Sequence, residues 1–251
     1  MRAAVCRDFG APTRVETIDR PSLRPHSVRI AVALAAANPP DVLMPQGKYQ
    51  VKPALPFVVG IEGAGVVTEI SNDVTDLKVG DRVMTYAGHG CFAEEVIADQ
   101  HTVYRIPDEM SFEVAAGFAV VYGTAYHALV DRGQLAAGET VAVLGAAGGL
   151  GLCAIQIAKA LGARVVAVAS TEEKRSICLE NGADAAVPAD PESLNVRLRE
   201  LGDGKGVHVV HDTVGGPLTL AALRGLRPYG RHLIVGYSSG IIPQISGNSF
   251  C

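Results

Sequence analysis

The hydrophobic pattern divides the chain into two parts with different periods. Up to about residue 110, prolines separate short β-rich runs, and in the first of them Val28, Ile30 and Val32 alternate with smaller or polar residues. This period of two predicts a strand with one buried face. Similar runs lie at residues 65–70, 81–86 and 94–98. Short strands joined by Gly and Pro turns are typical of a small, partly open β-barrel.

From residue 112 onward, continuous apolar runs alternate with helical stretches. The runs lie at residues 140–144, 164–169, 185–187, 207–211 and 231–235. Parallel strands that are covered on both faces have this composition. Between the first two runs, an apolar stripe over residues 150–161 predicts a helix. Repeated β-α-β units predict an α/β fold with a Rossmann-type doubly wound parallel sheet. We therefore expect one domain over residues 1–111 and a second over residues 112–251.

The composition narrows the classes of function. Hydrophobic residues make up 48% of the chain and charged residues 19%, so a disordered chain is not expected. The net charge of -4 and the aromatic content of 5%, without Trp, disfavour nucleic-acid binding. No apolar run is long enough for a signal peptide or a membrane span. The five cysteines are scattered without a C-x-x-C pair, as expected for a cytoplasmic protein.

A glycine cluster follows the first apolar run of the second part. Compared with the pattern G-x-G-x-x-G, Ala146 takes the first position, Gly148 the second and Gly151 the third. Small residues here let the chain turn sharply and bring backbone N–H groups, including those of Gly149 and Leu150, to the diphosphate of a dinucleotide. An ordinary strand-to-helix turn is the alternative interpretation.

The choice of coenzyme depends on the end of the next strand. NAD sites carry Asp or Glu about 20 residues past the loop, whereas this chain has Ser170, 19 positions after Gly151, followed by Lys174. A hydroxyl and a cation can hold the 2′-phosphate that a carboxylate repels, which favours NADPH. Two alternatives stay open: residues 170–173 also fit a helix capping box, and Glu172 could bind the ribose.

Further motifs extend over nearly the whole chain: residues 38–44, 46–49, 55–65, 79–83 and 212–216. Together with the glycine loop, they resemble the medium-chain dehydrogenase/reductase superfamily and, within it, the zinc-independent NADPH:quinone oxidoreductases related to zeta-crystallin. The resemblance implies a GroES-like β-barrel domain followed by a Rossmann domain. It also implies hydride transfer from NADPH to a quinone or a related α,β-unsaturated carbonyl compound.

Missing ligands indicate the zinc-independent branch. Zinc-dependent relatives carry a Cys where this chain has Asn38, and a Gly-His-Glu where it has Gly60-Ile61-Glu62. Neither Asn38 nor Ile61 offers a thiolate or an imidazole, and the four-cysteine structural lobe of those relatives is also missing. His208 and His211, three apart on a strand, are expected to face opposite sides. We therefore expect no bound metal.

The resemblance places Asn38, Asp41 and Tyr49 in the pocket of the electron acceptor. Asn38 can donate a hydrogen bond through its amide and Tyr49 through its phenol. The family often has a second Tyr where this chain has Leu43, which leaves fewer donors. Alternatively, residues 38–41 form a surface turn and Tyr49 is a packed aromatic residue.

The remaining coenzyme contacts also come from the resemblance. Thr124 matches the family position beside the nicotinamide, although a helical Thr that bonds its own backbone is an alternative. Gly236, Tyr237 and Ser238 follow the last strand, on the carboxyl edge where ligands bind in such sheets. A plain Gly/Ser turn is the alternative there.

The family pattern fades after residue 244, so we expect a truncated product whose last strand lies at an exposed, aggregation-prone sheet edge. The homodimer of the family is in doubt for the same reason. Two other functions stay open. One is an enoyl-thioester reductase of the same superfamily, and the other is an NADPH-binding protein with little turnover.

Overall fold

A computed structural model of the chain describes residues 1–247. The chain divides into two compact units, Met1–Val120 and Val121–Cys251. The expected functional domains over 1–111 and 112–251 stay a prediction. Within residues 1–247, no helix has the length and apolarity that a membrane span requires.

The first unit contains eight strands and two short helices, and a third helix begins in it. The strands are β1 (Arg2–Cys6), β2 (Arg14–Thr17), β3 (Ser27–Ala36), β4 (Phe57–Val58), β5 (Glu62–Ile70), β6 (Arg82–Tyr86), β7 (Glu95–Asp99) and β8 (Val103–Arg105). The helices are α1 (Pro39–Leu43), α2 (Phe112–Ala116) and α3 (Ala119–Tyr126).

Two antiparallel sheets build this unit, with strand orders β7-β3-β5-β6-β8 and β2-β1-β4. The larger sheet encloses a core to which alternate residues of its strands contribute, among them Val28, Ile30 and Val67. A Cβ on Gly65 would lie 1.9 Å from the Ala31 carbonyl oxygen, so β3 and β5 require a glycine here. The predicted strand at 65–70 is confirmed as part of β5, and those at 81–86 and 94–98 are confirmed as β6 and β7, each of which begins one residue later than predicted.

The second unit is a parallel sheet with helices on both faces. Its strands are β9 (Thr140–Leu144), β10 (Arg164–Ala169), β11 (Ala185–Pro188), β12 (Val207–Asp212) and β13 (Leu226–Ile234), in the order β11-β10-β9-β12-β13. Its helices, after α3 and a π-helical turn (His127–Arg132), are α4 (Gly149–Ala160), α5 (Glu172–Glu180), α6 (Leu194–Leu201) and α7 (Gly216–Arg224).

Strand β9 lies in the middle of this sheet and alternates between two apolar cores. Val141 and Val143 face the core against α4, whereas Ala142 and Leu144 face the core on the α6 and α7 side. Both faces are covered, which explains the continuous apolar sequence. The predicted doubly wound parallel sheet is therefore confirmed.

The last strand, β13, begins earlier than residue 231, where the sequence placed its start. Val207 pairs with Leu226 and Val209 pairs with Arg231, so three extra residues of β13 bulge out between these two pairs. Tyr229 lies in this bulge with a φ of +63° and a fully exposed side chain. The Pro and Gly on either side of it concealed this part of the strand from the pattern.

Candidate functional site

The glycine loop, residues 145–151, joins β9 to α4 by a tight turn. Gly145 has a φ of +69°, and its carbonyl accepts a 3.0 Å hydrogen bond from the N–H of Gly148, the N-cap of α4. A Cβ on Gly151 would lie 2.5 Å from the Gly145 oxygen and 2.6 Å from the Ala146 oxygen. The helix therefore packs so closely on the turn that only glycine fits at position 151.

The backbone N–H groups of the loop have different roles. The N–H of Ala146 donates to the Val168 carbonyl at 3.2 Å, and the Ala146 side chain is completely buried. Ala146 thus fixes the loop to the sheet. The N–H groups of the first helical turn have no preceding helical carbonyl to bond; they belong to Gly149, Leu150 and Gly151. A turn without bulky side chains at a helix N-terminus fits a diphosphate.

Thr213, just after β12, connects this loop to the segment that follows β13. Its hydroxyl donates to the Leu144 carbonyl at 2.9 Å, and a Cβ on Gly145 would lie 2.5 Å from that hydroxyl oxygen. The Thr213 carbonyl in turn accepts the Ser238 N–H at 3.0 Å. The structure therefore brings residues 236–238 and the glycine loop to the same carboxyl edge of the sheet, where such sheets bind ligands.

The other coenzyme candidates lie around this edge. The Gly236 N–H donates to the Asp212 carbonyl at 3.2 Å. The Tyr237 ring covers Gly215, where a Cβ would lie 2.9 Å from its Cδ1 atom. Thr124 is half-buried on α3, and the start of that helix reaches the glycine loop: a Cβ on Gly149 would contact a Val121 methyl group at 3.9 Å.

After β10, Ser170 is exposed and does not cap the helix that follows. Thr171, not Ser170, is the N-cap of α5, and its hydroxyl accepts the Lys174 N–H at 3.2 Å. A capping box with Ser170 as its cap is therefore wrong. Sequence reasoning missed Arg175, whose guanidinium donates to the Ala169 carbonyl at 3.3 Å. The sequence signal that could have identified Arg175 was its position directly after Lys174.

In the first unit, Asp41 holds the start of α1 against β5. One carboxylate oxygen accepts the Asn38 N–H at 2.8 Å and the other accepts the Ile61 N–H at 2.9 Å. Burial raises the pKa of Asp41, and these N–H donors oppose that rise. Asn38 and Asp41 are both buried. The alternative of a surface turn at residues 38–41 is therefore wrong.

Glu62 holds the Asn38 side chain, and sequence reasoning did not assign it a role. Glu62 is only 1% exposed; one of its oxygens accepts the Asn38 amide N–H at 2.8 Å and the other accepts the Val120 N–H at 2.8 Å. Burial raises the pKa of Glu62, and these two donors lower it. Since an amide nitrogen carries two N–H groups, Asn38 keeps a second donor. The sequence signal for Glu62 was that Gly60-Ile61-Glu62 keeps the glutamate of the Gly-His-Glu motif of the zinc-dependent relatives.

Tyr49 is half-buried, and its ring packs against an apolar cluster that comprises Cys6, Met44, Phe57, Val59 and Ile61. The neighbouring Lys48 N–H donates to the Leu43 carbonyl at 2.9 Å, which closes the turn after α1. Tyr49 is thus a packed aromatic residue near the end of α1. Packing of the ring fixes its position and is compatible with donation by the phenol.

Across residues 1–247, no group of three or more His, Cys, Asp or Glu side chains is arranged to hold a metal ion. The two histidines of β12 have structural surroundings. The His208 ring accepts the Thr140 N–H at 2.9 Å, and His211 is completely buried in the sheet.

Comparison with known proteins agrees with this architecture. The alcohol dehydrogenase GroES-like domain family matches residues 24–108, and the zinc-binding dehydrogenase family matches residues 149–250. The fold and these matches define the protein as a medium-chain dehydrogenase/reductase, and they confirm the expected GroES-like domain followed by a Rossmann-type domain.

The relatives narrow this class. The chain is 39% identical over 248 residues to quinone oxidoreductase-like protein 2 of Bos taurus, which covers 98% of this chain and 71% of the relative. It is 34% identical to the Homo sapiens quinone oxidoreductase, covering 94% and 73%. The crystal structure of Escherichia coli quinone oxidoreductase complexed with NADPH matches with a TM-score of 0.90 at 28% identity, covering 98% and 76%. The chain belongs to the quinone oxidoreductase family.

Proposed function

We propose that the protein is an NADPH-dependent oxidoreductase that reduces quinones or related α,β-unsaturated carbonyl compounds without zinc. The observation that carries this proposal is the Asn38 amide, which Glu62 holds in place at the position where zinc-dependent relatives carry a Cys ligand. An oriented amide is a neutral hydrogen-bond donor and takes the place of a Lewis acid.

Asn38 and Tyr49 act on the oxygen of the acceptor. Bound NADPH supplies one hydride, which together with one proton from water converts a quinone to a hydroquinone and leaves NADP⁺. The second N–H of Asn38 and the Tyr49 phenol donate hydrogen bonds to the acceptor oxygen, where negative charge develops. Asp41 and Glu62 position Asn38, since their carboxylates accept hydrogen bonds from the backbone at Asn38 and Ile61 and from the Asn38 amide.

The coenzyme is held by the second unit. In this proposal, the N–H groups that begin α4 bind the diphosphate, and residues 236–238 together with Thr124 complete the nicotinamide side. Ser170, Lys174 and Arg175 bind the 2′-phosphate. The position of Thr171 as the helix cap supports this assignment, because it releases the Ser170 hydroxyl from capping.

Turnover and binding measured together test the proposal. The purified protein is expected to oxidise NADPH with benzoquinone and phenanthrenequinone, and to bind NADPH by fluorescence titration. Turnover with crotonyl-CoA alone would instead identify an enoyl-thioester reductase. Saturable binding without turnover of any acceptor would identify a coenzyme-binding protein, and it would contradict the assigned role of Asn38.

The coenzyme preference is tested by Lys174→Ala. We expect the Kd for NADPH to rise about tenfold, the usual effect of losing one charged contact to phosphate, and the Kd for NADH to stay unchanged. Lys205→Ala is the matched control, because Lys205 is also an exposed lysine and lies in the loop before β12. An equal loss of affinity for both coenzymes would contradict the 2′-phosphate assignment.

The partners follow from the same proposal. The acceptor is a small molecule, and the net charge of -4 supports the proposal that no nucleic acid is bound. A cytoplasmic location and a doubtful homodimer stay predictions.

A further inference from the structure

Tyr86 is the last residue of β6 and has no role in the function proposed above. On β6, Val83 and Thr85 point into the sheet core, where they are 0% and 1% exposed. Because side chains alternate along a strand, Tyr86 points to the opposite face. Its side chain is 48% exposed, so the phenol is accessible to a ligand.

The strand register places Tyr86 directly beside the group that holds Asn38. Tyr86 is the Cα partner of Glu62 in the antiparallel pair of β5 and β6. Directly opposed residues have side chains on the same face, with Cβ atoms about 5 Å apart. Glu62 in turn accepts the Asn38 amide. Tyr86 and Asn38 are therefore both neighbours of Glu62, Tyr86 through the strand pair and Asn38 through its hydrogen bond.

The backbone after Tyr86 is hydrogen-bonded to Ile61, the residue directly before Glu62. The N–H groups of Ala87 and Gly88 both donate to the Ile61 carbonyl, at 2.9 Å and 3.2 Å. The Ile61 N–H donates to Asp41. Ile61 therefore bonds both the backbone that follows β6 and the Asp41 carboxylate in α1. These bonds give Tyr86 a defined position relative to the start of α1.

Tyr86 also interacts with the other phenol of this region. Burial, and after it the electrostatic interaction with Tyr49, raises the pKa of Tyr86. The Tyr49 phenol is therefore close enough to Tyr86 to affect the ionisation of Tyr86. A tyrosine with a raised pKa stays protonated at neutral pH and is a hydrogen-bond donor.

We propose that Tyr86 supplies a second phenol donor to the acceptor oxygen, beside Asn38 and Tyr49. It takes the place of the tyrosine that the resembling family often has where this chain has Leu43. The proposal rests on the proposed function, because it adds a donor to the same acceptor pocket. It requires no new reaction step, since the Tyr86 proton is shared in a hydrogen bond and not transferred.

The first test is Tyr86→Phe in the full chain, with quinone reduction measured at saturating NADPH. We expect kcat/KM for benzoquinone to fall about tenfold, as one hydrogen bond to developing charge is lost, while the Kd for NADPH stays unchanged. Tyr104→Phe is the matched control. It removes a phenol of similar exposure from β8 of the same sheet, and kcat/KM is expected to stay at the wild-type value.

The second test is rescue by the residue that is common in the family. Adding Leu43→Tyr to the Tyr86→Phe variant is expected to recover most of the lost kcat/KM. Wild-type kcat/KM in Tyr86→Phe alone would overturn the donor role. Lack of recovery in the double variant would overturn the inference that Tyr86 replaces a tyrosine at position 43.

A third measurement separates this inference from the proposed function. If the wild-type protein reduces no quinone, the proposed function has failed, and the phenol pair is tested without turnover by tyrosinate absorbance. Tyr49→Phe is expected to lower the pKa of Tyr86, which the difference between Tyr49→Phe and the Tyr49→Phe/Tyr86→Phe double variant reveals. An unchanged titration of Tyr86 would overturn the placement of the two phenols in one pocket.

Discussion

The Asn38 amide and the Asp41 carboxylate form hydrogen bonds with residues that no local sequence pattern predicts. Asn38 bonds Glu62, 24 positions along the chain, and Asp41 bonds Ile61, 20 positions along. Asn38 and Asp41 could be named in advance because they stand in a recognisable motif. Glu62 and Ile61 reach them only when β3 pairs with β5, and Tyr86 reaches Glu62 only when β5 pairs with β6. Such long-range pairs leave no periodic signal in the sequence.

His211 has consequences for stability at acid pH. Its side chain is completely buried, and within residues 1–247 neither ring nitrogen has a hydrogen-bond partner. Burial lowers the pKa of His211 to about 4, which the charge of Asp212 partly opposes. The folded chain therefore binds this proton more weakly than the unfolded chain, whose His pKa is about 6.5. The contribution of the neutral, buried His211 to the free energy of unfolding is therefore fully present above a pH of about 6.5 and is lost as the pH falls towards the pKa of the folded state.

We expect the wild-type protein to lose roughly 3 kcal/mol of stability through His211 between pH 6.5 and pH 4. His211→Phe replaces the buried imidazole by an aromatic ring that does not titrate, so its free energy of unfolding should fall less steeply in this range. Denaturant titrations at several pH values measure the difference. His101→Phe, at an exposed histidine, should keep the wild-type slope; equal slopes for all three proteins would contradict the assignment to His211.

At the scale of elements, the sequence predicted best those strands that are buried on both faces. The bounds predicted for β9 and β10 are those observed, because both strands are continuous apolar runs between clear turns. The strands β1, β2, β4 and β8 were not predicted. They have two to five residues, too few for a period to stand out.

The close approach of α4 to the end of β9 leads to a prediction for the glycine loop. Gly151→Ala places a methyl group 2.5 Å from a backbone oxygen, and backbone cannot yield as a flexible side chain can. We expect a loss of about 1–3 kcal/mol in the free energy of unfolding and weaker NADPH binding. Thermal unfolding and fluorescence titration measure the two effects.

Gly149→Ala is the control within the same turn of α4. A Cβ on Gly149 meets only a Val121 methyl group, at 3.9 Å, an ordinary contact. Its thermal stability should therefore be equal to or slightly above that of the wild type. If Gly151→Ala proved as stable as Gly149→Ala, position 151 would not require glycine for packing.

At the scale of the whole molecule, the change from period-two strands to continuous apolar strands revealed the two-part organisation. The apolar pattern of a strand shows whether one or both of its faces are covered, and it therefore predicts how the layers of the fold are arranged. The resemblance then supplied the family. The division after Val120 could not be predicted because α3, which begins at Ala119, crosses it.

Coenzyme binding is expected to stabilise the second unit. At free NADPH about 100 times its Kd, linkage adds about 2.7 kcal/mol, which corresponds to a rise of about 5–10 °C in Tm for a chain of this size. Differential scanning fluorimetry with and without NADPH measures it. NADH at the same concentration should raise Tm less. A Tm insensitive to both coenzymes would contradict the assignment of the glycine loop as a dinucleotide site.

The bulge in β13 has a consequence for growth of the sheet from copy to copy. Among residues 1–247, β13 pairs only with β12, so its other side forms the margin of the parallel sheet. A straight margin is a template on which further strands can stack into filaments. Here the ladder is interrupted between Leu226 and Arg231, and the Tyr229 side chain protrudes from the interruption. The bulge therefore opposes the strand-on-strand stacking that the sequence led us to expect at this edge.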